Sequence, residues 1–147
     1  MMATISEITD DRPVVLDTEI WVYFILGSKR LKGRKLDIVE DAIFRGKAYI
    51  SVISLWETAE SVNSGELKLT MPVKQWLDES IEKSFVQVID MTTQIIVDST
   101  TLPASAGDLD EIDKIVVATA RSQNAVLVTD EENIIKYANT GHVIVAE

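Results

Sequence analysis

The chain has 147 residues, of which 46% are hydrophobic and 26% charged, as expected for one soluble folded domain. Its 24 acidic and 14 basic residues give a formal net charge of −10, which argues against a broad electrostatic surface for nucleic acid. With no cysteine and one histidine, disulfides, thiolate metal sites and His-rich zinc sites are excluded, so any metal site must use mainly oxygen ligands. The first residues lack a signal-peptide pattern and no apolar run could span a bilayer, so we expect a cytoplasmic protein without membrane contact.

From Pro13 onward, short β-rich runs alternate with longer helical patterns. We predict a flexible tail over residues 1–12 and a single domain over residues 13–147. The predicted strands are residues 14–16, 48–50, 85–89, 125–128 and 142–145. The predicted helices are residues 18–26, 36–44, a helix capped by Ser51 or Ser54 that ends before Gly65, and residues 73–84, 92–99, 110–121 and 132–138. This alternation predicts an α/β fold with a central, mainly parallel sheet of about five strands flanked by helices.

Acidic residues follow several of the predicted strands. Asp17 comes directly after the first strand, and Asp130 and Glu131 follow the strand that ends at Val128. Glu57 and Asp113 lie in the first turns of helices. In an open parallel sheet, functional sites lie at the carboxyl ends of the strands, so these acids are expected at one edge. Each acid alone could instead cap a helix, complement a helix dipole or lie on a solvated face. Together they would repel, and would share protons or bind cations.

Four segments resemble the PIN-domain family, and more narrowly its bacterial VapC-like toxin branch. The segments are Val14-Val15-Leu16-Asp17-Thr18, Ile50-Ser51-Val52-Ile53-Ser54-Leu55-Trp56-Glu57, the stretch from Leu102-Pro103 through Asp110-Glu111-Ile112-Asp113 to Ala120, and Leu127-Val128-Thr129-Asp130-Glu131-Glu132-Asn133-Ile134. They occur in the family's order and extend over nearly the whole chain, from about Val14 to Val145. The resemblance implies a metal-dependent ribonuclease, the toxin of a type II toxin–antitoxin pair.

The resemblance also implies site residues. Asp17, Glu57 and Asp113 match the family's metal-binding, catalytic acids, and either Asp130 or Glu131 matches the fourth. Asp110 matches an extra acid one helical turn before Asp113, and Thr18 and Thr129 could orient the acids by hydrogen bonds. Hard oxygen ligands suit Mg²⁺ or Mn²⁺. The number of ions, one or two, stays open.

Contacts with RNA are predicted in the loop after the first helix, and contacts with proteins on the early helices. Five basic residues crowd into seven positions and form either a weak RNA-binding patch or a solvated loop; they are Lys29, Arg30, Lys32, Arg34 and Lys35. The resemblance implies a small antitoxin partner. Trp21, Phe24 and Ile25 are expected to form its groove or a homodimer face.

Two alternatives remain beside the nuclease. Glu19, Ser61 and Glu66 replace family positions with residues that add negative charge or remove positive charge, which weakens the expected RNA binding but not metal binding. The first alternative is therefore a PIN-like binding module with weak or no nuclease activity. A phosphoaspartate enzyme is less favoured, because the first strand is followed by Asp17-Thr18-Glu19 and not by Asp-x-Asp.

Overall fold

The computed structural model describes residues 2–3, 11–104 and 106–146. Within these residues there are six strands: β1 (Met2–Ala3), β2 (Val14–Leu16), β3 (Ala48–Ser51), β4 (Gln87–Ile89), β5 (Val126–Val128) and β6 (Ile144–Ala146). They form one sheet in the order β1-β6-β5-β2-β3-β4, and every pairing in it is parallel. The predicted α/β fold is confirmed, and β2 and β5 lie at the centre of the sheet.

Seven helices connect the strands in the described part of the chain: α1 (Thr18–Leu26), α2 (Gly33–Arg45), α3 (Val52–Ser64), α4 (Val73–Ser84), α5 (Thr93–Thr100), α6 (Glu111–Ser122) and α7 (Glu132–Ala138). Ser51 caps α3 by accepting a hydrogen bond from the backbone N–H of Ile53, so the first of the two predicted caps is the one used. Gly27 and Gly46 end α1 and α2 with φ of 63° and 70°, a conformation that glycine adopts without a Cβ penalty.

The sheet is covered on both faces, as the unbroken apolar sequence of β2 predicts. All three residues of β2 are fully buried. Val14 and Leu16 belong to the core that includes residues of α1, α2 and α4. Val15 belongs to the opposite core, with Leu127 and apolar residues of α6 and α7. The central strands are therefore packed on both faces. This packing fixes the backbone position of the residues that follow them.

Trp21 is a correction to the predicted partner surface. Its side chain is fully buried, it meets Trp76 edge to face with ring centroids 5.7 Å apart, and its Nε1–H donates to Ser84 Oγ at 3.3 Å. Phe24 and Ile25 are half-buried and pack against the same core. Trp21 therefore joins α1 to α4, and the expectation that it forms a groove or a dimer face is wrong.

Phe85 is an unusual end for a helix. It closes α4 with φ of 59°, and its backbone N–H donates to Glu82 O. A side chain with a Cβ is disfavoured in this left-handed conformation, where glycine or asparagine is usual. The residue is 74% exposed, so packing of its side chain offsets little of that cost.

The predicted tail over residues 1–12 falls largely outside the described residues. Of this stretch, Met2–Ala3 forms the edge strand β1 beside Val145 and Ala146, which the sequence pattern did not predict. No described helix has both the length and the apolar character needed to cross a membrane.

Candidate metal-binding site

Three parallel strands end side by side at the centre of the sheet. Leu16 of β2 pairs in register with Val128 of β5 on one side and with Ile50 of β3 on the other. The residues that follow Leu16, Val128 and Ile50 therefore lie at the same edge of the sheet. Asp17 is the first of these, and its backbone N–H donates to Val128 O at 2.9 Å.

Asp17 is a buried carboxylate at the start of α1, with 8% of its surface exposed. Its Oδ1 accepts from the backbone N–H of Thr18 at 2.8 Å, and its Oδ2 accepts from Thr129 Oγ1 at 2.6 Å. Burial raises its pKa from 3.8 to about 6, against the effect of these hydrogen bonds, and the charges of Glu57 and Glu19 act in the same direction as burial. Thr18 and Thr129 thus donate hydrogen bonds to this acid, and their role in orienting the acids for a metal stays a prediction.

Glu57 lies in α3, on the helix that follows β3, and is half-buried. Burial raises its pKa, a hydrogen bond from the Thr18 side chain lowers it, and the negative charges of Asp110, Glu19 and Glu131 raise it further. The Thr18 hydroxyl is also hydrogen-bonded to Ser54 Oγ at 2.7 Å. Ser54 is fully buried, and its position one turn before Glu57 was the signal for this polar contact.

Asp113 lies in the first turn of α6, and Asp110 caps that helix. Asp110 Oδ1 accepts from the backbone N–H of Asp113 at 2.8 Å. Burial raises the pKa of Asp113 to about 7, and the charges of Asp110, Asp17, Glu131 and Glu57 add to the effect. The predicted metal-binding acid and its neighbour one turn earlier are thus electrostatically coupled to the acids of the other segments.

Asp130 and Glu131, the two candidates for the fourth acid, differ in their surroundings. Asp130 forms an ion pair with Lys35, with Nζ to Oδ1 at 2.6 Å. Glu131 raises the pKa of both Glu57 and Asp113. Because Asp130 is paired with Lys35 whereas Glu131 is coupled to Glu57 and Asp113, we define the acidic cluster as Asp17, Glu57, Asp110, Asp113 and Glu131.

Glu19 is an exposed acid that the sequence prediction did not count as part of the site. Its charge raises the pKa of Asp17 and of Glu57. Together with Glu57 and Glu66 it lines a cavity of about 240 Å³ between α1 and α3. The sequence signal that could have included Glu19 in the site was its position two residues after Asp17, in the first turn of α1.

The acidic cluster fits a hard divalent cation in its chemistry. Among the described residues, no three side chains that could serve as metal ligands lie close enough together to enclose an ion as they stand. The carboxylates interact through space, and uncompensated negative charges favour separation. Carboxylate oxygens are the ligands that Mg²⁺ and Mn²⁺ prefer, and a cation would offset the repulsion that raises these pKa values.

The basic cluster, which we define as Lys29, Arg30, Lys32, Arg34 and Lys35, is not one uniform patch. Arg30 donates to Tyr23 Oη at 3.2 Å and lies 5.8 Å from the centre of that ring. Lys29 and Lys32 are exposed at a cavity of about 600 Å³ near the end of α1. Arg34 is also exposed, whereas Lys35 is turned to Asp130 and is partly buried. Four members of the cluster are therefore exposed, and Lys35 is the partly buried one.

Comparison with known proteins identifies the class. The family model described as PIN domain matches residues 14–139, so this chain belongs to the PIN-domain family. No curated protein matches its sequence.

Solved structures share the fold. One is VapBC2 from Rickettsia felis bound to a DNA fragment from the promoter, with a TM-score of 0.66 and 23% identity over 90% of this chain and 96% of that one. A toxin–antitoxin complex from Klebsiella pneumoniae has a TM-score of 0.61 and 19% identity, covering 88% and 94%. FitAcB from Neisseria gonorrhoeae has a TM-score of 0.60 and 18% identity, covering 91% and 96%.

Proposed function

We propose that this PIN-domain protein is a Mg²⁺- or Mn²⁺-dependent endoribonuclease that hydrolyses RNA phosphodiester bonds. The observation that carries the proposal is the coupling of four acids from four segments, Asp17, Glu57, Asp113 and Glu131, at the carboxyl edge of the sheet. Like charges brought together in this way are stabilised by protons or by a cation, and strongly shifted pKa values mark candidate functional sites.

The side chains of the site would have different roles in binding and orienting the ion. Asp17, Glu57, Asp113 and Glu131 would hold the ion, which when bound activates water and offsets charge on the phosphodiester. Thr129 holds Asp17 Oδ2, and the Thr18 backbone holds Oδ1, so this carboxylate keeps one orientation. Asp110 holds the first turn of α6 and adds negative charge beside Asp113. An ordered set of oxygen ligands lowers the cost of binding the ion.

The toxin role is part of the same proposal. The structures similar to this chain include toxin–antitoxin complexes, which supports a small antitoxin partner here. We also propose that the protein acts on RNA in the cytoplasm and forms a homodimer. Co-expression with a candidate antitoxin, followed by growth measurement and size-exclusion chromatography, tests these partners separately from the chemistry.

A PIN-like binding module with weak or no nuclease activity is the second candidate. The observation in its favour is the cavity beside Glu57, whose lining includes Glu19 and Glu66. This lining and the net charge of −10 repel phosphate groups. Cleavage of RNA by the pure protein separates the two candidates.

The first prediction concerns the acids. Asp17→Asn, Glu57→Gln and Asp113→Asn should each lower Mn²⁺-dependent cleavage of RNA by at least about a hundredfold, because each removes a charged ligand. Glu131→Gln should cost more activity than Asp130→Asn. The assay is cleavage of a labelled RNA with added Mn²⁺ or excess chelator, and circular dichroism reports folding.

Asp90→Asn is the matched control, because it neutralises an exposed acid outside the acidic cluster and should keep wild-type activity. Wild-type cleavage that persists in excess chelator would contradict the metal-dependent mechanism. Absence of cleavage under every metal condition would favour the binding module.

A further inference from the structure

Lys35 makes the contact in the basic cluster that points toward the acidic site. It lies in the first turns of α2, and its side chain is 24% exposed. Its Nζ donates to Asp130 Oδ1 at 2.6 Å and to the backbone carbonyl of Thr129 at 2.9 Å. These partners are 94 and 95 residues away in the chain. The ammonium group thus joins α2 to the turn between β5 and α7.

That turn carries two contacts of the acidic cluster. Thr129 Oγ1 donates to Asp17 Oδ2 at 2.6 Å and accepts from the backbone N–H of Glu131 at 2.9 Å. Thr129 is 1% exposed, so its hydroxyl is a buried link between Asp17, which follows β2, and Glu131, which caps α7. A shift of the Thr129 backbone would therefore disturb both hydrogen bonds.

We propose that Lys35 is a positioning residue that holds the β5–α7 turn so that Glu131, and not Asp130, belongs to the acidic cluster. The inference rests on the proposed function and adds a residue to its site. Lys35 restrains the Thr129 carbonyl and draws the Asp130 carboxylate to itself. The positive charge of Lys35 is therefore paired with a carboxylate of the protein, and its role is not to bind RNA phosphates.

The alternative explanations for Lys35 predict different behaviour. A surface ion pair adds little to stability, because solvent screens it and ordering the side chains costs entropy. A phosphate-binding lysine would contribute to RNA affinity and to its salt dependence. A positioning residue changes the order of the turn and the affinity for the ion without changing how RNA binding depends on salt.

The first measurement needs neither metal nor RNA. Hydrogen exchange in metal-free protein should be faster at the backbone N–H of Glu131 in Lys35→Gln, by about tenfold or more, because its acceptor Thr129 Oγ1 loses its fixed position. The N–H of Val126, which donates to Pro13 O at the start of β5, is the internal reference and should be unchanged. Equal exchange at Glu131 in both proteins would overturn the proposal.

The second measurement uses Mn²⁺ and RNA. Lys35→Gln should weaken Mn²⁺ binding, followed by calorimetry, by about tenfold, and lower kcat more than it raises KM. Lys35→Arg should restore both, since a guanidinium group can donate to the carbonyl and to the carboxylate together. Lys74→Gln removes the same charge from an exposed pair with Asp78 and is the control.

The outcomes separate this inference from the proposed function. A wild-type protein that binds no Mn²⁺ and cleaves no RNA fails the proposed function, while the exchange measurement still tests the turn. A wild-type protein that binds Mn²⁺ and cleaves RNA, with the same constants in Lys35→Gln, fails the inference alone. A flatter salt dependence of RNA binding with unchanged exchange would overturn it in favour of phosphate binding.

Discussion

Two opposing effects set the pKa of Asp17. The residue sits in the centre of the sheet edge, where burial favours the protonated carboxyl, yet both of its oxygens accept hydrogen bonds that favour the charged form. Burial is the larger effect, and its pKa is about 6. The metal-free protein therefore holds a proton at this residue under mildly acidic conditions, and a divalent cation would compete with that proton.

The pH dependence of stability follows from this shift. The pKa of Asp17 rises from 3.8 to about 6 and that of Asp113 from 3.8 to about 7, so the folded state binds more protons than the unfolded state between these values. The free energy of unfolding of the metal-free protein should therefore fall as the pH rises from about 4 to 7. The contribution of Asp17 is about 3 kcal/mol at most. Urea denaturation in chelator at several pH values measures the slope.

Asp17→Asn provides the test of that assignment. The variant should lose part of the slope and should be more stable than wild type at pH above about 7, because no buried charge is then required. Asp90→Asn changes an exposed acid and should keep the wild-type slope. Stability of the wild type that rises with pH over this range would contradict the shifts.

At the scale of elements, α6 shows how one residue can both begin a helix and shape a site. Asp110 caps the helix through the Asp113 backbone N–H, and its charge raises the pKa of the Asp113 side chain. The same carboxylate is favourable at the positive end of the helix dipole. Helix stability and repulsion within the acidic cluster are therefore linked through a single side chain.

Two substitutions separate these effects. Asp110→Ala should lower the free energy of unfolding by about 1 kcal/mol, because the cap is lost. Asp110→Asn keeps a good cap and should cost little, yet both variants should lower the pKa of Asp113 in an NMR titration. Thr92→Ala, which removes the cap of α5, is the control and should destabilise the protein without moving that pKa.

The sequence predicted the elements better than the contacts between them. Apolar runs and capping residues place α1, α4 and α7 with the bounds that the structure has, because these signals are local. Burial of Trp21 depends on α4, which begins more than fifty residues later, and no local pattern shows it. The surroundings of Asp130 likewise depend on a distant contact, because its ion-pair partner Lys35 lies 95 residues earlier in the chain. Hence the metal-site prediction left the choice between Asp130 and Glu131 open.

At the scale of the whole molecule, a net charge of −10 has to be reconciled with a polyanionic substrate. Repulsion between exposed charges is largely screened beyond about 8 Å at physiological salt, so local contacts decide binding. The exposed basic residues of the cluster are one such local feature; they are Lys29, Arg30, Lys32 and Arg34.

Substitution of these four exposed residues by glutamine should weaken RNA binding and flatten its salt dependence by up to about 0.7 log unit per lost contact. The control replaces Lys68, Lys74, Lys83 and Lys136 by glutamine, which lowers the net charge by the same four units at exposed positions elsewhere. Fluorescence anisotropy with a labelled RNA over a range of salt concentrations measures both slopes. Equal slopes in the two variants would show that only total charge matters.

The exposed Phe85 at the end of α4 is a position at which a substitution could stabilise the protein. Phe85→Gly would relieve a left-handed backbone conformation that costs a residue with a Cβ about 1 kcal/mol. Because little packing is lost, we expect a melting temperature higher by about 2–4 °C, measured by calorimetry. Such a background would tolerate weakened variants elsewhere in the molecule and ease their purification. A lower melting temperature would instead show that the ring contributes contacts worth more than the conformational relief.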